Sequence, residues 1–97
     1  MFDTIARETA ALIHNPGIQA RAILNSVYVD VTPDDERTVK IAFGPAVQGL
    51  VQVDFTLLDA KKAHVDTVSG AVRAADASEA AFKVVFDLIE VWFPPVA

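Results

Sequence analysis

The chain has 97 residues, 53% of them apolar and 22% charged, which fits one globular domain with one core and excludes a disordered polymer. It has no cysteine, so disulfides, thiolate metal sites and cysteine nucleophiles are excluded together. The net charge is −5 and its Lys and Arg are scattered, with only Lys61 and Lys62 adjacent, so nucleic acid is not an expected partner.

The first fourteen residues, MFDTIARETAALIH, repeat apolar side chains at helical spacing: Phe2, Ile5, Ala6, Leu12 and Ile13, with Thr9 on the same stripe. Asp3 is a candidate N-cap whose charge suits the positive end of the helix dipole. Asp3, Arg7 and Glu8 interrupt the apolar pattern, so the segment does not read as a signal peptide. Asn15-Pro16-Gly17 ends the helix, because the residue before proline avoids helical geometry. Residues 18–24 read either as a second short helix capped by Asn15 or as the approach to a strand.

Strict alternation then marks three strands. In 26–32, Val27, Val29 and Val31 share one face. In 38–43, Val39, Ile41 and Phe43 do the same, before Gly44-Pro45 breaks the run. In 50–59 the oily face is Val51, Val53, Phe55 and Leu57, and this strand reads as the middle of an antiparallel sheet with one face buried. Pro33-Asp34-Asp35-Glu36 is a polar turn; its carboxylates lack the ligand spacing and central glycine of a calcium loop.

Residues 60–75 fit two readings. Val65, Val68, Val72 and Ala75 lie at helical spacing, but Val65-Asp66-Thr67-Val68-Ser69-Gly70 contains no strong helix former. A hairpin turning near 60–63 pairs Phe55 with Val68, Val53 with Gly70 and Val51 with Val72. Extended backwards, the rows become Val31–Val39–Phe55–Val68, Val29–Ile41–Val53–Gly70 and Val27–Phe43–Val51–Val72, which keeps every apolar face together. That register also lines up Asp30, Lys40 and Asp54 on the outer face, a solvated charge ladder.

The last helix begins near Asp76-Ala77-Ser78-Glu79, where Asp76 and Glu79 are spaced as in a capping box, and runs to Trp92–Phe93 before Pro94-Pro95. Phe82, Val85, Phe86, Ile89 and Phe93 form one stripe, and Ala81, Val84, Leu88 and Val91 a second. The helix is oily over most of its circumference, which calls for cover on more than one side. Lys83, Asp87 and Glu90 leave 80–93 too charged and too short to span a bilayer.

The fold implied is a single α+β domain over 1–97. It is a two-layer sandwich, with a four-stranded antiparallel meander and an N-terminal and a C-terminal helix on one face. The alternative is three strands and three helices. That order of elements, with an oily terminal helix, resembles small phage assembly subunits such as tail terminators and connectors; the resemblance implies a virion component.

No GxGxxG or GK[ST] motif is present, and no cofactor or metal site is expected. His14 suits a helix C-terminus. His64 and Asp66 share a face if 64–66 is a strand, and a histidine oriented by a carboxylate can act as a base, but no nucleophile is placed beside them. The reading is therefore a non-enzymatic structural or interaction subunit, a homo-oligomer or a protein-docking module, with Val84, Leu88, Val91 and Trp92 as the interface. Two alternatives remain: a small-molecule-binding or enzymatic domain with a pocket near His64 and Asp66, and an acidic inhibitor-like protein on a basic surface. The expected location is cytoplasmic or inside an assembled particle.

Overall fold

Among the described residues the sheet has five strands, one more than the alternation in the sequence predicts. In the computed structural model, which describes residues 2–13, 17–31, 36–45 and 47–93, the chain runs α1 (Phe2–Leu12), β1 (Gln19–Ile23), β2 (Ser26–Asp30), β3 (Thr38–Pro45), β4 (Leu50–Leu58), β5 (His64–Arg73), a short 3₁₀ turn at Ala74–Asp76 and α2 (Ala77–Trp92). The strands form one antiparallel meander in the order β1-β2-β3-β4-β5. The fold is α+β, and the alternative of three strands and three helices is excluded. The order that resembles phage subunits, with four strands, also gains a strand here.

The extra strand is β1, QARAI. Its composition hides it: alanine and arginine favour helix, and only Ile23 is a strong strand former. The turn to β2 is Leu24-Asn25, without glycine or proline. Leu24 takes a positive φ of 56° at this turn. Asn25 ties the turn to β3: its side-chain amide donates to the Phe43 carbonyl at 2.7 Å, and its main-chain carbonyl accepts the Phe43 N–H at 3.0 Å. Ala20 and Ala22 oppose Val29 and Val27, so the inner face of β1 is low where α1 crosses it.

β4 lies between β3 and β5, and every second residue of it is buried: Val51, Val53, Phe55 and Leu57. Val27, Val29, Val39, Ile41 and Phe43 complete the inner face, against which Ile5, Ala6, Ala81 and Val85 pack from the helices. Thr9, wholly buried on α1, donates its hydroxyl to the Ile5 carbonyl at 2.7 Å, which satisfies it within its own helix.

The β4–β5 register is as the sequence predicts: Phe55 opposes Val68, Val53 opposes Gly70 and Val51 opposes Val72. The other two ladders are displaced by two residues, with Val29 opposite Val39 and Ile41 opposite Phe55. An even displacement leaves each side chain on its expected face, which is why the predicted core survives the error. The charge ladder does not. Lys40 sits between Tyr28 and Thr56, Asp30 beside Thr38 and Asp54 beside Ala42. Asp30 instead accepts from Arg21 at 3.0 Å and Thr38 at 2.8 Å.

The β4–β5 turn is organised by Asp59. Its side chain accepts the N–H groups of Lys61 and Ala63, each at 2.9 Å, while Lys62 takes a left-handed φ of 64°. Lys62 then reaches back to donate to the Thr38 hydroxyl at 2.6 Å. The capping box predicted for α2 is not formed, because Asp76 makes no side-chain cap hydrogen bond and the 3₁₀ turn leads into the helix instead. The turn at 33–35, His14 and Pro94-Pro95 lie outside the described residues.

Phe55→Ala removes a buried ring from the central strand and is expected to cost about 3–5 kcal/mol in chemical unfolding. A loss under about 1 kcal/mol contradicts its place in the core.

Candidate functional site

The two helices divide the sheet unequally. α1 contacts β1, β2 and β3, whereas α2 contacts β4 and β5 and packs along α1. Ala77, Ala81, Val85, Ile89 and Trp92 form the buried stripe of α2. It keeps Val85 and Ile89 of the stripe the sequence suggests but is turned toward the alanines: Phe82 and Phe86 are only half-buried, and their rings meet edge to face at 5.0 Å. Ser78 faces Glu8 on α1, so the Phe82 side of the helix leans toward α1.

The opposite side of α2, carrying Ala80 and Val84, overhangs β5 without closing on it. Between them lies a groove of about 240 Å³, floored by Val53, Phe55, Val68, Gly70 and Val72. Apart from Ser69, its wall is apolar side chain or glycine. It is smaller than a usual cofactor or drug-sized pocket, roughly 300 Å³ and upward.

β5 forms the outer rim of the groove and the edge of the sheet. Nine of its ten residues are exposed, on both faces, and the tenth, Val72, is half-buried. Val68 keeps 40% exposure although it stands beside Phe55 in the core row. An edge strand offers one row of unpaired N–H and C=O groups, and natural sheets usually shield such edges with bulges, inward charges, lysine or proline. Here shielding is confined to one end. A register shift between Leu57 and Leu58 makes a bulge at Val65, and Asp66 is the inward charge. From Thr67 to Val72 there is neither charge nor proline.

The same bulge separates His64 and Asp66, the two residues near which the alternative reading expects a pocket. Asp66 opposes Leu57 and His64 opposes Leu58, so the pair faces opposite sides of the sheet. The Trp92 indole donates to Asp66 Oδ2 at 3.4 Å, while the His64 ring hydrogen-bonds the Thr67 hydroxyl. Neither residue lines the groove. Among the described residues no buried side-chain nitrogen or oxygen lacks a hydrogen-bond partner, and no three potential metal ligands cluster.

The four residues assigned to an interface separate into three environments. Val84, 36% exposed, lines the groove, and Val91 is 71% exposed farther along the helix. Leu88 is half-buried against the core. Trp92 is 9% exposed, covered by its own chain, and its carbonyl accepts from Arg37 at 3.2 Å. The outer face of the sheet mixes signs: Arg21 and Lys40 flank the Tyr28 ring, with Asp30 and Asp54 nearby. Among the described residues that face gathers no acidic patch.

The β5 edge and its groove are what sequence reading missed. The available signal was the run of small residues Ser69-Gly70-Ala71 between Val68 and Val72, unbroken by lysine or proline. No helix among the described residues is long and apolar enough to cross a membrane. No family model, curated protein or solved structure matches this chain.

Leu88→Glu is expected to destabilise the fold by about 1–3 kcal/mol, since Leu88 packs on the core, while Val91→Glu stays within about half a kcal/mol. Equal losses in paired urea titrations contradict this division of the helix.

Proposed function

We propose that the chain is a non-enzymatic structural subunit that works by self-assembly, using the β5 edge and the groove beneath α2. The observation that carries the reading is the exposure of β5, the longest strand, on both faces and along its free edge. Strand addition to such an edge supplies main-chain hydrogen bonds, and the neighbouring groove supplies apolar contact. Val68, Val84 and Val91 keep 40%, 36% and 71% exposure, so covering what remains of the three is worth roughly 2–4 kcal/mol together, before the entropy of association is subtracted. A phage-type assembly component is one member of this class. The enzymatic alternative loses its support with the separation of His64 from Asp66 and the apolar lining of the groove.

Sedimentation across the micromolar range tests the reading. The expected mass exceeds that of one 10.4 kDa chain, and Val84→Glu returns it to one chain without changing the circular dichroism spectrum. A wild-type mass of one chain up to near-millimolar concentration contradicts self-assembly.

A further inference from the structure

Self-assembly through β5 has a specific geometry available to it, and the centre of that geometry is Gly70. Glycine inside a strand weakens it and often marks a place where another backbone approaches closely. The usual reasons within one chain do not apply here. Gly70 has no positive φ, and a Cβ added to it meets nothing within 4 Å. It stands in open space on the floor of the groove, midway along the unshielded part of the edge, with the bulge and Asp66 on one side and Arg73 at the far end.

The sequence around it is nearly a palindrome: Val68-Ser69-Gly70-Ala71-Val72. An antiparallel pair related by a two-fold axis at Gly70 brings Val68 opposite the second copy's Val72, twice, and Ser69 opposite its Ala71, twice. Directly opposed residues of antiparallel strands lie on the same face, and this register keeps Val68 and Val72 of both copies on the groove side. Thr67 faces Arg73 across the outer side, so no like charges oppose one another in the seam. An isologous contact requires such self-complementarity.

We propose that two copies of this chain join β5 to β5 about a two-fold axis at Gly70, making one continuous sheet. The inference rests on the self-assembly reading above. The axis stands perpendicular to the sheet, so the helices of both copies lie on the same face. The two α2 helices then run roughly 10–15 Å apart, given the usual strand spacing, with Val84 and Val91 of each directed toward the seam. The two open grooves merge into one trough over the paired glycines and are closed by both helices. Paired glycines leave room on the floor for the valines that a bulkier central residue would crowd.

The absence of cysteine makes the test direct. Gly70→Cys places a thiol opposite its own counterpart, within the roughly 4.4–6.8 Å Cα separation that a disulfide spans. Mild oxidation of the full chain should convert it almost completely to a covalent dimer. Val72→Cys alone should not link, since the two copies of that position lie roughly 14 Å apart along the strands. A mixture of Val68→Cys and Val72→Cys chains should link one to the other. Gly70→Lys should abolish assembly by opposing two ammonium groups, with the monomer spectrum unchanged. If the wild type assembles but Gly70→Cys does not link, the two-fold seam is overturned and the self-assembly reading stands. Linking of Gly70→Cys only to a cysteine placed on β1 overturns it in favour of head-to-tail pairing. A one-chain mass throughout overturns both.

Discussion

Two helices cannot cover five strands. Strands lie about 4.8 Å apart and packed helices about 8–10 Å apart, so a pair of helices covers roughly four strands. This mismatch of widths governs the molecule. The inner face is a continuous apolar surface from β1 to β5, and the helices must be distributed over it. Both pack on one another as well as on the sheet, which fixes their separation. Whichever strand they cover least keeps part of its apolar face in water. Here it is β5.

Side-chain size decides why the gap falls at that end. Ala20 and Ala22 lower the surface of β1, and α1 settles over β1 to β3 with Ile5 and Ala6 buried. α2 is drawn toward β4 by its own small residues, Ala77 and Ala81, which let the helix approach closely enough to bury Val85. Trp92 anchors its far end, donating to Asp66 and accepting from Arg37. With both ends fixed, the side carrying Ala80, Val84 and Val91 overhangs the rim. The groove is a consequence of this packing and holds no polar array that would recognise a small polar ligand.

The strand faces were legible because alternation is a local property. Val27 through Leu57 alternate so regularly that a wrong register of two residues in two ladders still delivers the right core. Register was legible for β4–β5 alone; in the other two ladders nothing in the valine-rich rows distinguishes one even displacement from the next. β1 was obscured by helix-favouring alanine and arginine and by a turn without glycine. Its strand state is imposed by the sheet and by Asn25 bonding to Phe43. The oily circumference of α2 was legible, but its orientation only in part: Val85 and Ile89 of the expected stripe are buried, whereas the large rings Phe82 and Phe86 stand half-buried and the small Ala77 and Ala81 make the close approach. His64 and Asp66 looked paired because they are two residues apart. One bulged residue, Val65, which no local pattern announces, parts them.

The proposed assembly requires the free edge of β5 to be closed by another chain. In an antiparallel edge strand, alternate amides face inward to the neighbouring strand and outward to solvent. Residue-resolved hydrogen exchange of β5 against protein concentration reads this directly. The prediction is an alternating fast and slow pattern from Thr67 to Val72 in dilute solution. As concentration rises, the fast set should gain protection and the alternation disappear. An alternating pattern that persists unchanged into concentrated solution contradicts the account, because the edge would then remain open to water whatever the number of copies present.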